Sequence, residues 1–162
     1  MPSSRFAYSA DDLRNIAGSA LDYAKTRGAT SAETDVSEGF GQTVTVRCGE
    51  VETIEYNRDK GFGITVYVGQ QRGHASSSDF SRQAVRDAVD AALSIARFTA
   101  ADDCAGLPDP ELLARNFPEL ELYHPWDLPV ERAIELAKTG EDAGYAVDRR
   151  SSNSEGATVS TQ

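Results

Sequence analysis

Histidine is scarce in this chain, which contains only His74 and His124. The two lie far apart, and neither belongs to an H-E-x-x-H pattern, which on a helix would bring two imidazoles to one zinc ion. Ser76 and Ser78 follow His74 closely, but a serine nucleophile also needs an orienting group and an oxyanion hole. Because no pattern marks those groups, we interpret His74 as a surface or sheet-edge residue and His124 as a packing or hydrogen-bonding residue.

Two other patterns could carry chemistry. Gly61-Phe62-Gly63 superficially resembles a phosphate loop, but it enters a predicted strand, whereas phosphate binding uses the N-terminus of a helix. The chain has 26 Asp and Glu residues, yet none form the spaced loop of oxygen ligands that calcium requires. From the residues alone we therefore predict neither a catalytic set nor a metal site in this chain.

The densest group of polar residues lies around a predicted hairpin turn, from Arg47 to Glu52. Gly49 would supply the unusual backbone angles of the turn, and Arg47 would pair with a glutamate across the strands. The alternative is a polar sheet surface or edge that binds an extended peptide. Both interpretations are compatible with the sequence.

Alternating apolar residues and glycine turns predict an antiparallel β-meander. Its predicted strands are Thr43–Cys48, Val51–Tyr56, Phe62–Val68 and Arg72–Ser78. An earlier strand, Ser31 to Glu38, is expected to end at Gly39-Phe40-Gly41, and Asn57 to Gly61 is expected to form another break. Cys48 is predicted to be a small core residue.

Three amphipathic helices are predicted to cover the sheet, which gives an α+β fold: a two-layer sandwich of an antiparallel meander and helices. The first begins at Ser9 as N-cap and stops at Gly28. The second follows Asp79-Phe80-Ser81 and runs to about Phe98. The third is expected to be capped by Asp127, with its core-facing residues being Ile134, Ala137, Ala143 and Val147.

Composition limits the class of protein. The net charge of −10 argues against direct nucleic-acid binding, because phosphate contacts need clustered Lys and Arg. No apolar run is long enough to span a membrane, and the N-terminal stretch lacks the apolar core of a secretion signal. Cys48 and Cys104 form no disulfide framework, which favours reduced cytosolic thiols. We predict one α+β domain over residues 1–148, and the start of a following, truncated segment over 149–162.

Several motifs in the same order resemble one family. They are G-E-V-E from Gly49, G-I-T-V-Y from Gly63, G-x-A-S-S-x-D from Gly73 and C-A-G from Cys104, followed by the later L-E-L-Y-H-P-W-D-L-P and R-R-S-S-N-S-E-G-A-T-V-S-T segments. Together they resemble the N-terminal domain of the PmbA/TldD family. The strands are most similar to the PmbA branch, also called TldE, although a TldD-type chain ending before its zinc motif would carry the same features.

The resemblance implies a cytoplasmic zinc metalloprotease that acts on unfolded peptides and was first described as a modulator of DNA gyrase. In this family a PmbA-type subunit pairs with a TldD-type sister subunit, which carries zinc on an H-E-x-x-x-H motif. This chain would then bind no cofactor itself and would supply dimer surface and part of the peptide enclosure. Candidate residues along the peptide path are Arg47, Glu52, Thr65 and Tyr67.

Two competing functions are compatible with the sequence. The first is a non-enzymatic acidic interaction module that binds gyrase or a toxin–antitoxin complex directly. The second is a structural domain that only folds and dimerises the full-length chain.

Overall fold

The computed structural model describes residues 6–162, so the first five residues of the stretch on which the prediction of no secretion signal rests lie outside it. The elements are, in chain order, α1 Ala10–Thr26, β1 Ser31–Arg47, β2 Glu50–Val68, β3 Gln71–Ser77, α2 Arg82–Phe98, α3 Val130–Val147 and β4 Ala157–Thr161. The strands form one sheet in the order β3-β2-β1-β4. The predicted α+β fold with an antiparallel sheet is confirmed. No helix in residues 6–162 is long and apolar enough to cross a membrane.

The chain divides into two compact units, and the long strands β1 and β2 each contribute residues to both. The first unit contains the described residues up to 38 and Asp59–Phe117. In it, α1 and α2 cover one face of the sheet. Its core packs alternate side chains of β2 against the small residues of the helices, and includes Phe62, Ile64, Val66, Ala20, Ala24, Val89, Ala92 and Leu93.

The second unit contains Gly39–Arg58 and Pro118–Gln162. Its core is built on Val44 of β1, Leu128, which precedes α3, and Ala133 of α3. Val159 of β4 packs against this core. The strand β4 runs antiparallel to β1 and pairs Val159 with Val44. The tail of the chain therefore adds a fourth strand to the sheet.

The predicted breaks at Gly39-Phe40-Gly41 and at Asn57 to Gly61 are wrong, because β1 and β2 run straight through them. A glycine ends a strand only where its backbone leaves the extended region. Among the described glycines, a positive φ occurs at Gly28, Gly49, Gly69 and Gly156. The turns predicted at Gly49 and Gly69 are confirmed, whereas the other strand glycines stay extended.

The predicted N-cap of the third helix is wrong, and its predicted core face is correct only in part: Ala137 is buried and Ile134 packs against the core. Pro129 is the N-cap of α3, and no side chain caps this end. The buried residues are Ala133, Ala137 and Glu141, spaced four apart, while Ala143 and Val147 are exposed. The apolar pattern did not reveal this face, because one of its buried residues is a glutamate. By contrast, the predicted N-cap at Ser9 is confirmed, and Ser81 of the predicted Asp79-Phe80-Ser81 segment caps α2. Ser9 also forms a capping box with Asp12, which was not predicted from the sequence.

Candidate functional site

The first unit has a polar surface on the side of the sheet that α1 and α2 leave open. Because Phe62, Ile64 and Val66 point into the helix-covered core, the residues between them point the other way. We call this surface the polar face. Its side chains are Glu33, Asp35 and Ser37 of β1, Thr65 and Tyr67 of β2, and Arg72, His74 and Ser76 of β3, with Gly61 and Gly63 between them.

Thr65 and Tyr67, two of the predicted peptide-path residues, lie next to each other along this face but are largely covered. They are 6% and 5% exposed. Thr65 Oγ1 lies 3.2 Å from Nδ1 of His74, its partner across β2 and β3. The Tyr67 hydroxyl donates to Glu33 Oε1 at 3.2 Å. Any direct contact with a ligand would therefore fall to the exposed His74 and Glu33, which the two buried side chains support from below.

Burial sets the protonation of Tyr67. Removal of the phenol from water raises its pKa, and the neighbouring carboxylate of Glu33 raises that pKa further. Both effects disfavour the phenolate, so the hydroxyl remains a hydrogen-bond donor to Glu33. This bond fixes the Glu33 side chain on the polar face.

A cleft of about 650 Å³ opens at the Gly61 end of the polar face. Gly61 and Gly63 lie along its floor, with Asp35 on one side and His74 and Ser76 on the other. A side chain at Gly63 would begin 2.5 Å from Asp35 Oδ1, so the glycine allows that carboxylate to lean over the strand. The cleft is open to solvent and presents backbone, hydroxyl, imidazole and carboxylate groups.

The strand β3 is the edge of the sheet on this side. It pairs with β2 in an antiparallel register in which Gln71 lies opposite Val68 at one end and Ser77 lies opposite Phe62 at the other. No other strand within residues 6–162 pairs with it. The outer backbone groups of an edge strand are available to a further strand. The exposed side chains of Arg72, His74 and Ser76 line the polar face along this edge.

The other two predicted path residues, Arg47 and Glu52, belong to the second unit. Arg47 Nη1 lies 3.6 Å from Glu52 Oε1 across the β1–β2 turn, and Arg47 Nε donates to the Ser154 carbonyl at 3.2 Å. The predicted pairing of Arg47 with a glutamate across the hairpin is thus confirmed. Both side chains therefore have a structural role, because their contacts brace the end of the hairpin.

The sequence did not predict the role of Glu141, which holds this turn. Its carboxylate accepts the backbone N–H groups of Cys48 at 2.8 Å and Gly49 at 2.7 Å. Those hydrogen bonds, that of Gly49 first, lower the pKa of Glu141, and a hydrogen bond from Ser154 adds to them. Cys48 has a positive φ of 52° and is exposed, so its predicted place in the core is wrong. Nothing in the local pattern of α3 marks Glu141 as a clamp.

The side chains available for metal binding are dispersed. Within the part of the chain that the structure describes, no three His, Cys, Asp or Glu side chains are close enough to share a metal ion. His74 and His124 are both exposed. The donors present here do not fit a zinc site, and the polar face can offer hydrogen bonds and charge but no assembled metal centre.

Comparison with known proteins gives the family. Residues 32–96 match the family model described as PmbA/TldA metallopeptidase domain 1. A metalloprotease PmbA homolog of Haemophilus influenzae is 45% identical over 93% of this chain and 33% of its own length. Metalloprotease PmbA of Escherichia coli O157:H7 is 44% identical over 92% of this chain and 33% of its own length. The chain therefore spans about a third of the length of these relatives.

Solved structures share the fold at lower identity. A candidate modulator of DNA gyrase from Bacteroides thetaiotaomicron matches with a TM-score of 0.75 and 21% identity, over 88% of this chain and 32% of that one. TldE from Thermococcus kodakarensis matches with a TM-score of 0.60 and 17% identity, over 79% of this chain and 29% of that one. Both matches cover more of the chain than residues 32–96 alone.

Proposed function

Because the chain belongs to the PmbA/TldD metallopeptidase family, as a domain of the PmbA/TldE type, we propose that it is part of the non-metal-binding subunit of a heterodimeric zinc metalloprotease. In this proposal residues 1–148 form the N-terminal domain, and 149–162 begin the segment that follows. The enzyme acts on unfolded peptides in the cytoplasm. Zinc, held by a TldD-type sister subunit, would supply an activated water for hydrolysis. This chain supplies dimer surface and part of the enclosure around the peptide.

The observation that carries the peptide role is the edge strand β3 beside the polar face. An extended peptide can add to a sheet edge through its backbone, and such hydrogen bonds are the same for most sequences. The exposed side chains of Arg72, His74 and Ser76 would then contact alternate residues of the peptide. This mode suits an enzyme for unfolded peptides, because it demands an extended backbone and few particular side chains.

The pairing is tested by affinity isolation of the native full-length protein, with mass spectrometry of the proteins that co-purify. We expect a sister subunit that carries H-E-x-x-x-H, and peptide hydrolysis by the pair. Recovery of gyrase or a toxin–antitoxin complex without such a subunit would overturn the proposal and favour the acidic interaction module. Recovery of only the same chain would favour a structural, dimerising domain.

The path residues are tested in the reconstituted pair of full-length subunits. Tyr67→Phe removes the hydroxyl that orients Glu33 but keeps the buried ring, and Arg47→Ala removes the charge that pairs with Glu52 at the β1–β2 turn. We expect peptide turnover to fall in each variant while the pair still assembles. Turnover equal to that of the wild-type pair would remove the substituted residue from the path.

A further inference from the structure

The cleft on the polar face has a floor without side chains. Gly61 and Gly63 alternate along β2, and their neighbours on the open side are Ser37 and Asp35 of β1 and Ser76 of β3. A Cβ at Gly61 would lie 3.6 Å from the Ser37 hydroxyl, which is an ordinary contact. Neither glycine has the positive φ that only glycine adopts readily, so the fold itself does not require glycine at Gly61. Gly63 makes room for the Asp35 carboxylate, and Gly61 leaves open space above the strand.

Two charged side chains line this space, Lys60 and Asp35, and within residues 6–162 only Lys60 interacts with other groups of the protein. Lys60 has its ammonium 5.3 Å from the ring centre of Phe80 and 5.8 Å from that of Tyr8, within the range of cation–π attraction. Its charge also reaches Asp79, whose pKa is lowered first by hydrogen bonds from Ser81 and to a smaller extent by Lys60. The positive charge of Lys60 thus interacts with two aromatic rings and with Asp79.

Asp35 has no such compensation. Its carboxylate is exposed in the cleft, and no residue in the described part of the chain forms a hydrogen bond or an ion pair with it. The hydroxyl of Ser76 and the imidazole of His74 line the opposite side and can accept hydrogen bonds. One carboxylate is too few for a divalent metal ion, which needs several oxygen ligands. The groups present suit a single organic cation.

We propose that this cleft binds an alkylammonium group of the peptide, either a lysine side chain or a free amino terminus, with Asp35 as its counter-ion. Ser76 and His74 accept further hydrogen bonds from the ammonium, and the open space above Gly61 gives its carbon chain room to lie on the strand. A volume of about 650 Å³ is sufficient for a side chain with its flanking backbone. The inference rests on the proposed function and adds to it a preference for one charged group in the peptide.

The test measures equilibrium binding by the full-length chain without its sister subunit. Fluorescence anisotropy is recorded with three extended peptides of one sequence: an acetylated peptide with one lysine, a peptide with a free amino terminus and norleucine in place of lysine, and an acetylated norleucine peptide. We expect at least one amine-bearing peptide to bind more tightly than the peptide that has no amine. The arm that binds identifies the source of the ammonium.

Asp35→Asn removes the charge and keeps the shape, and it should weaken binding of the amine-bearing peptide about three- to tenfold. Asp142→Asn makes the same change at an exposed position of α3 and should leave that affinity unchanged. Gly61→Val fills the floor with a side chain that suits a strand, and should weaken binding at least as much as Asp35→Asn.

Equal effects of Asp35→Asn and Asp142→Asn, or no effect of either, would overturn the inference. Failure of the wild-type chain to bind any of the three peptides, or equal affinity for all of them, would also overturn it. These results would leave the proposed enzyme pair standing, because that pair is tested separately by co-isolation and hydrolysis.

Discussion

At two positions the backbone arrangement depends on the type of a single residue. Glu141 binds two backbone N–H groups at the tip of the β1–β2 hairpin. Gly73 of β3 lies directly against the backbone of α2, where a Cβ would collide with the Ala92 carbonyl oxygen. Both features are independent of the proposed function, so they can be tested in the protein on its own.

Glu141→Gln should destabilise the fold at neutral pH by a few degrees of Tm, because an amide can accept only with its oxygen and would direct N–H groups at the N–H of Cys48 or Gly49. The pKa of Glu141 is lowered in the folded state, so the carboxylate stabilises the fold fully above its ordinary pKa of 4.5. That stabilisation is lost as the pH falls through the lower, folded-state pKa.

Thermal unfolding of wild type and variant across this pH range checks the expectation. The difference in Tm should be largest at neutral pH and should narrow in acid. Asp142→Asn, which changes the neighbouring exposed carboxylate, should show neither effect. A difference that stays constant from neutral to acidic pH would show that ionisation of Glu141 is not what stabilises the turn.

Gly73→Ala should lower the free energy of unfolding by about 1–3 kcal/mol, since the added methyl group meets main-chain atoms of α2 that cannot move aside independently. Gly144→Ala provides the matched control: nothing lies within 4 Å of its added methyl, and it sits within α3. That change should stabilise the fold by roughly 0.5–1 kcal/mol. Urea unfolding measures both, and equal effects of the two substitutions would contradict the close packing of β3 on α2.

At the scale of elements, the sequence predicted a helix cap and turns that depend on neighbouring residues. The cap at Ser9 and the glycine turns at Gly49 and Gly69 depend on residues within a few positions, and all were predicted correctly. Strand ends at Gly39 and Gly61 were not, because an extended glycine and a turn glycine look alike in sequence. Which one occurs depends on pairing with distant strands.

The core face of α3 and the cleft on the polar face show the same limit. A buried glutamate has no apolar signature, and the hydrogen-bond partners of Glu141 lie in the β1–β2 turn, far from it in sequence. Asp35 and His74 are far apart in sequence and line one cleft because β1 and β3 both flank β2. The sequence could predict that these strands are polar on one side, but not which side chains face each other.

The capping box gives a prediction for α1 as an element. Ser9 Oγ accepts the N–H of Asp12 at 3.1 Å, and Asp12 Oδ2 accepts the N–H of Ser9 at 2.9 Å. Ser9→Ala should cost about 1 kcal/mol of stability. It should also let the lowered pKa of Asp12 rise, since the Ser9 side chain is the first cause of that shift.

Ser19→Ala serves as the control for this helix. The Ser19 hydroxyl donates to the Ile16 carbonyl within α1, and alanine is the better helix former, so stability should stay equal or rise slightly. Denaturant unfolding gives both free energies, and NMR titration gives the Asp12 pKa. A Ser9→Ala variant as stable as wild type would mean that α1 is held by packing alone.

The whole molecule is acidic, with a net charge of −10, and spans about a third of its curated relatives. In the proposed function its polar face and edge strand bind the peptide, whereas within residues 6–162 no three potential ligand side chains come together for a metal ion. The proposed division of labour therefore has a consequence for metal content. Zinc should be found in purified samples of the sister subunit, whether or not this chain is present.

Elemental analysis of purified full-length proteins checks this expectation. The pair should contain about one zinc ion per heterodimer, and this subunit purified without its sister should contain none above background, because tight zinc sites use three or four protein ligands. Chelation should abolish peptide hydrolysis by the pair, and added zinc should restore it. The amine-dependent peptide binding of this subunit should survive chelation, since Asp35 acts there as a counter-ion to an ammonium and not as a metal ligand. Stoichiometric zinc in the isolated subunit would contradict the assignment of the metal to the sister chain.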